Sequence, residues 1–378
     1  MRFTIQRDVL VQNVQDVMKA ISSRTTIPIL TGIKMKATED GVTLTGSDSD
    51  ISIECFIPAE EDGTELADIA KPGSIVLQAK FFGEIVKKLP ETDVEIEVTD
   101  HFNTVIKSGT AEFNLNGLDP EEYPHLPEVQ EDEFFQLPID LLKHMIRQTV
   151  FAVSTSETRP ILTGVNWKVD DKELSCIATD SHRLAMRKAP VEKGNLSQAN
   201  IVIPGKSLNE LNKILDDTDE LIDVFVTENQ VLFKTKNLLF FSRLLDGNYP
   251  DTSRLIPDES KTDVTLGAKE FLQAIDRASL LAREGRNNVV KFSTLENGFV
   301  EVSSNSPEIG KVFERVKTNS IEGDELKISF SAKYVMDALK AIDSTEIQVN
   351  FTGAMRPFLI RSIEDHSILQ LILPVRTY

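Results

Sequence analysis

Apolar residues recur at helical spacing in three stretches of the chain. In Asp8 to Ser22 the stripe is Leu10, Val14, Val17, Met18 and Ile21, and in Ala268 to Arg283 it is Phe271, Leu272, Ile275, Leu280 and Leu281. A similar stretch runs from Ile139 to Ser154. Each is expected to form an amphipathic helix with its stripe turned to a core. Second helical stretches follow at Lys80 to Leu89, Lys206 to Leu215 and Ala332 to Ile342, the first stopped by Pro90. Alternating runs lie around them, such as Val42-Thr43-Leu44-Thr45, Val231-Leu232-Phe233-Lys234 and Leu369-Gln370-Leu371-Ile372. These read as strands with one face buried, which makes the fold class α+β with antiparallel sheets.

The pattern repeats. Pro28-Ile29-Leu30-Thr31-Gly32 returns unchanged as Pro160-Ile161-Leu162-Thr163-Gly164, a shift of 160 − 28 = 132. Gly46-Ser47-Asp48-Ser49 matches Ala178-Thr179-Asp180-Ser181 in kind at the same shift, 180 − 48 = 132. A fainter third copy carries Val289-Val290-Lys291-Phe292 and then Val300 to Ser306, with Asn305 lying 125 beyond Asp180. Two copies close on a Tyr-Pro turn, Tyr123-Pro124 and Tyr249-Pro250, each followed by a proline-bearing acidic stretch suited to a linker. Three domains are therefore expected, at residues 1–128, 129–257 and 258–378.

With 378 residues, 40% hydrophobic and 27% charged, the chain has ordinary globular composition and the length for several cores. The N-terminus lacks the apolar core of a signal peptide, and no stretch approaches the ~20 apolar residues of a membrane helix. A cytoplasmic protein with no membrane partner is expected. Cys55 and Cys176 form no CxxC pair, and the five histidines show no metal-ligand spacing, so neither metal nor cofactor is implied. Asp180-x-His182 comes without a nucleophile motif or a third partner. Gly205-Lys206-Ser207 imitates the end of a phosphate loop, but the required glycine at position 200 is Asn200. No catalytic residue is assigned. The formal charge of −19 disfavours a grip on nucleic acid unless the cations are segregated on one surface.

Several blocks together carry a resemblance: Arg24 through Leu30, Ala178 through Ala185, Val202-Ile203-Pro204-Gly205-Lys206, Leu245 through Asp251, and Leu373-Pro374-Val375-Arg376. In their order and spacing the chain resembles the bacterial DNA polymerase III beta subunits, the sliding clamps, over essentially its whole length. The resemblance implies the DNA clamp fold, with three repeated domains, each placing two helices toward a hole and antiparallel sheets outside. It implies a head-to-tail dimeric ring that encircles double-stranded DNA without sequence preference. Partners would be replicative and repair DNA polymerases and a separate ATP-driven clamp loader, and the chain itself would be a processivity factor and no enzyme. Twelve helices spaced about 10 Å apart would enclose a hole of about 28 Å. A duplex would pass with room for water.

The resemblance also implies residue roles. A peptide-binding pocket would be walled by Leu162, Thr179, Ser181, His182, Arg183 and Leu184, with Pro250, Arg254 and Leu255 beside them. Its closing segment would be Leu371, Leu373, Pro374, Val375 and Arg376, with Arg183, Arg254 and Arg376 orienting a peptide's backbone or acidic flanks. Ser181 stands where some members have glycine, and Thr377-Tyr378 differs from other endings. DNA would meet Arg24, Lys19, Lys80 and Lys87 in the first copy, and Lys143, Arg147, Arg159, Lys206 and Lys213 in the second. Lys88, Arg277, Arg283, Lys333 and Lys340 also lie on or beside helices, whereas Glu60-Glu61-Asp62, Glu131-Asp132-Glu133, Asp216-Asp217 and Asp258-Glu259 fall in loops or linkers. Phe113 and Leu115 would meet Leu280 and Leu281 of the neighbour at the dimer interface. A repeat scaffold that binds proteins alone is the second function class that the repeats allow.

Overall fold

The computed structural model describes residues 1–22, 24–126, 133–170, 172–191, 194–282 and 288–376. The expected joint at 128 and 129, the pair Glu131 and Asp132, Arg283 and the ending Thr377-Tyr378 lie outside the described residues. The chain gathers into two compact units, one of residues 1–139, 192–195 and 213–244, the other of residues 140–191, 196–212 and 245–378.

All six expected helices form: α1 (Arg7–Met18), α2 (Ala79–Lys88), α3 (Ile139–Thr149), α4 (Gly205–Ile214), α5 (Ala268–Ala282) and α6 (Ala332–Ile342). Each starts at the residue directly after a strand, with no connecting loop. Gln6, Gln78 and Ser331, at the N-caps of α1, α2 and α6, make no side-chain cap. Backbone carbonyls serve instead. The first N–H of α1, α3 and α5 donates to the carbonyl of Thr92, Glu220 and Thr345, at 2.7, 2.9 and 3.0 Å. Those acceptors each precede an equivalent strand, Asp93–Val98, Leu221–Val226 and Glu346–Phe351. The strands thereby fix where each helix begins and which face it turns inward.

The repeat is exact in strand register between the first two copies. Strands start at Gly32, Gly41 and Ile51 in one copy and at Gly164, Glu173 and Arg183 in the next, each 132 residues on. The shared pentapeptide folds alike in both, as the 3-10 turns Pro28–Thr31 and Pro160–Thr163, in which the threonine hydroxyl donates to the proline carbonyl at 2.7 Å. The third copy has strands Val289–Leu295, Phe299–Ser306 and Gly310–Lys317.

Copies are stitched together through sheet edges. In the first unit Ile51–Pro58 pairs antiparallel with Leu238–Arg243, Phe240 facing Ile53, which makes one eight-stranded sheet. In the second unit Arg183–Pro190 pairs antiparallel with Ile368–Ile372, Leu184 facing Leu371, which makes a nine-stranded sheet. A five-stranded sheet in the first unit ends on Ala111–Asn116, and a four-stranded sheet in the second ends on Gly310–Lys317. The third core is rich in phenylalanine: Phe292 packs against Phe271, Phe330 and Phe351 with ring centroids 5.2–6.4 Å apart.

Two expectations are corrected. The buried stripe of α5 is Phe271, Ala274, Ile275, Ala278 and Ala282, while Leu280 is 60% exposed and Leu281 half-buried. Alanine carries little hydrophobic signal, whereas Leu280 and Leu281 fall off the 3.6-residue period of the buried stripe. The helix expected to reach Ser154 stops at Thr149, and Val150–Ala152 continues as a 3-10 turn.

Candidate functional site

The loop from Thr179 to Arg183 is held from both ends. Asp180 Oδ1 accepts from the N–H groups of His182 and Arg183 at 2.9 and 3.1 Å, as Asp48 Oδ1 does from Asp50 and Ile51 at 2.8 Å each in the first copy. The Thr179 hydroxyl donates to the Arg183 carbonyl at 2.6 Å, and the Thr179 N–H donates to the Tyr249 hydroxyl at 3.0 Å. Burial pushes the Tyr249 phenol above its ordinary range, so it stays neutral. This bond places the Tyr-Pro turn against the loop. Ser181 sits at φ +76°, a region that favours glycine, in keeping with the glycine some family members carry there.

Arg183 is the hub of the site. It is 7% exposed. Its Nε donates to Asp180 Oδ2 at 3.1 Å, Nη1 to Asp337 Oδ2 at 2.7 Å, and Nη2 to the Phe151 carbonyl at 2.8 Å. The guanidinium also lies 4.5 Å from the ring centroid of Tyr334 and 5.2 Å from that of Phe151. His182 stacks on Tyr334 at 6.4 Å with an interplanar angle of 18°. Each of its three nitrogens is engaged inside the chain, with three of the five guanidinium N–H groups in use, so Arg183 positions the loop. Arg254, whose side chain is 91% exposed beside Asp251, and Arg376 are both open to solvent.

The apolar residues separate into floor and surface. Leu184 and Leu371 pack with Leu359 and Leu369 in a buried cluster against which Ile256 leans, and Leu162 is also buried. Leu255, half exposed, and the exposed Leu373 and Pro250 form the accessible part. The Leu373 N–H donates to the His182 carbonyl at 3.0 Å and that of Val375 to the Ser329 carbonyl at 2.8 Å, which leads the C-terminal segment, with Pro374, past the loop. There Val375 and Arg376 line a cleft of about 400 Å³ with the exposed Met355. Sequence reading missed Met355, Tyr334 and Asp337. Tyr334 and Asp337 stand one helical turn apart on α6, a spacing that puts both on one face, but nothing local pairs them with an arginine 154 residues away.

Most of the expected cations stand on open helix faces. In the first unit Arg24, Lys80, Lys87 and Lys88 are exposed, and Lys80 and Lys87 flank a cleft of about 560 Å³ that also contains Phe81. In the second unit Arg147, Arg159, Lys333 and Lys340 are exposed. Lys206 and Lys213 are exposed two turns apart on α4. Two placements are corrected. Lys143 is 7% exposed and so presents no charge to a macromolecule, because it falls on the buried stripe with Ile139, Ile146 and Val150. Lys19 is bound by the buried Asp16 at 2.5 Å. Arg277 forks onto Glu314, and its hydrogen bonds hold that carboxyl below the usual range.

Two of the sheet edges carry exposed apolar side chains. On Ala111–Asn116, Phe113 and Leu115 face Ile106 and Thr104, which are fully buried, so the core continues to an uncovered edge. On the other unit Phe313, 65% exposed, lies on Gly310–Lys317, with Ile309 just before it and Leu280 exposed on α5. Phe313 and Ile309 were missed, although the alternation Lys311, Phe313, Arg315, Lys317 marks an open strand face.

Both thiols are buried, and burial pushes Cys55 up to about 12 and Cys176 well above its ordinary value. Neither supplies a thiolate at neutral pH. Among the described residues no helix is long and apolar enough to cross a membrane.

Replacing Arg183 by lysine keeps the charge but not the fork, and an ammonium cannot serve Asp180, Asp337 and Phe151 together. The variant is expected to lose about 3 kcal/mol of stability, read as a lower urea midpoint in far-UV circular dichroism. An unchanged midpoint would remove Arg183 from its place as hub.

Residues 1–127, 136–251 and 253–376 match, respectively, the N-terminal, central and C-terminal domains of the DNA polymerase III beta subunit family. The chain is 68% identical to the beta sliding clamp of Bacillus subtilis (strain 168) and 61% identical to that of Halalkalibacterium halodurans, covering 100% of both chains in each case. Its fold matches the crystal structure of the DNA polymerase sliding clamp from Bacillus subtilis with a TM-score of 0.97 over 100% of both chains. Three repeats stitched edge to edge, the domain-by-domain matches and the full-length identity place this chain in the family of bacterial DNA polymerase III beta subunits, the sliding clamps.

Proposed function

We propose that two copies of this chain close head to tail into a ring around duplex DNA. The observation that carries the reading is the edge rule: the fourth strand of the first copy, and again of the second, pairs with the last strand of the copy that follows. Applied once more, it joins Gly310–Lys317 of one subunit to Ala111–Asn116 of the other. Phe113 and Leu115 then meet Leu280 and Leu281, with Phe313 beside them. Three domains per chain, at 1–128, 129–257 and 258–378, make six per ring.

The cations Arg24, Lys80, Lys87, Arg147, Arg159, Lys206 and Lys213 face the DNA, and the exposed acidic pairs Asp216-Asp217 and Asp258-Glu259 keep other surfaces negative. Contact with phosphates alone gives no sequence preference and weakens with salt. Replicative and repair polymerases dock by short peptides whose apolar anchors enter between Leu255, Leu373 and Met355, over the Leu184 and Leu371 floor. The protein works in the cytoplasm as an accessory subunit without catalysis of its own, and a separate loader opens the ring.

Three outcomes test the reading. Once loaded, the protein is expected to remain on closed circular DNA through gel filtration and to leave after linearisation; retention that ignores free ends would indicate a protein-only scaffold or simple adhesion. Changing Leu280 and Leu281 together to alanine is expected to give monomers, and a variant still dimeric in sedimentation at low micromolar concentration would sink the interface. A hydrophobic polymerase-type peptide is expected to bind the native protein and to lose about tenfold in affinity with Leu255→Ala, roughly 1.4 kcal/mol. Unchanged affinity in calorimetry would count against the pocket.

A further inference from the structure

The four-stranded sheet of the second unit turns one face to the third core and the other outward. Phe292, Ile328 and Phe330 take the inner face, and Lys291, Ser293, Lys327 and Ser329 take the outer one, as the strand period of two requires. Lys291 is the register partner of Ser329, and Lys327 lies two residues before Ser329. The two lysines therefore stand on adjacent strands with Cα atoms about 8 Å apart. The N–H of Val375 donates to the Ser329 carbonyl at 2.8 Å, which brings the C-terminal segment and Arg376 alongside. The cleft of about 400 Å³ that contains Met355 and Val375 is thus bounded by both lysines.

The charges of this cleft are one-sided. Its walls hold Lys291, Lys327 and Arg376 and no carboxylate. All three cations are exposed and make no ion pair among the described residues. Glu301 and Glu325 stand outside the lining, and Glu301 has Arg315 as its register partner on the strand beyond, so a cation already neighbours it on the same face. On a chain of net charge −19, three unmatched cations around the exposed Met355 fit an anion joined to an apolar group. A purely apolar peptide leaves the cations unmet. A free anion leaves Met355 uncovered.

We propose that the partner peptide is acidic beside its apolar anchor, that a side-chain carboxylate is held between Lys291 and Lys327, and that these two lysines set which peptides are preferred. The inference rests on the peptide-docking reading above and extends that pocket onto the outer face of the sheet. Met355 and Val375 supply the apolar contact. The lysines supply the discrimination, because a neutral side chain at that place gains nothing from them and a cationic one is repelled. Both ammonium groups are open to solvent, so the preference is screened by salt.

The test is fluorescence anisotropy on the full chain with a short labelled peptide that carries a Leu-Phe anchor and glutamates on both flanks, compared with twins in which one flank or both are glutamine. At low salt the all-glutamine twin is expected to bind about fivefold more weakly, and the gap is expected to close as salt rises. The single-flank twins show which end of the peptide lies on the lysines, and a preference on either flank supports the proposal. In the Lys291→Gln, Lys327→Gln double variant the glutamate peptide is expected to lose most of its advantage, while the all-glutamine twin binds as before. Both lysines are on the surface, so the variant is expected to melt at the native temperature. A glutamate preference undiminished in that variant would overturn the assignment to these lysines. Equal affinity of all the twins for the native protein would overturn the proposal and leave the pocket standing, whereas failure of every peptide to bind would overturn both.

Discussion

Every strand at the edge of a sheet carries backbone N–H and C=O groups that must find partners or face water, and this chain is organised by how it disposes of them. Among the edges of a single copy are its fourth strand and its last. Pairing the fourth strand of one copy with the last strand of the next removes both, twice within the chain, and in antiparallel register each time. The rule has no end within a linear chain, because three copies always leave one fourth strand and one last strand over. An edge rule that leaves complementary ends favours association of copies in a closed cycle over an open filament when the rotation per copy closes. The exposed Phe113 and Phe313 stand where that cycle would be sealed.

The same sheets govern the helices. Because each helix starts directly from a strand and takes its first backbone partner from a neighbouring one, its inward face is settled by the sheet before any side chain packs. What remains is the outward face, and there lysine and arginine predominate over the acidic residues that fill the turns. A total charge of −19 and a basic helix surface are compatible for that reason: a polyanion meets the local field. Lys143 and Lys19 show the limit of reading charge from helix membership alone. The first sits on the inward stripe and the second is tied to Asp16 one turn away, so neither adds to the outward field.

Much of this fold was legible in the sequence because the pentapeptide beginning at Pro28 and again at Pro160 dictates a compact turn and a strand start, and identical local chemistry gives identical structure. The third copy was faint because it lacks that pentapeptide and shares only its strand alternation. Helix existence followed from periodicity, whereas the inward residues of α5 did not, since alanine carries little hydrophobic signal yet packs closely. Lys143 could have been excluded from its spacing to Ile139 and Ile146. The bonds of Arg183 could not have been read. Two of the partners that hold it, Asp337 and the Phe151 carbonyl, are brought to it only by the fold.

Arg183 therefore acts as a tie between elements. With all three nitrogens engaged, it fixes the loop carrying Ser181 and His182 to α6 and to the 3-10 turn at Phe151. Asp337 stands at the centre of this arrangement, since the carboxylate that holds Arg183 also lines a cleft between α3 and α6 with Arg147, Lys340 and Asp343. Without Arg183 that cleft would gain a second unmatched carboxylate beside Asp343. Without Asp337 the guanidinium would lose its shortest bond and the loop its tether to α6. One ion pair thus joins the loop at Asp180 to Arg183 with α6, which is why its distance of 2.7 Å matters more than its place on the surface or in the core.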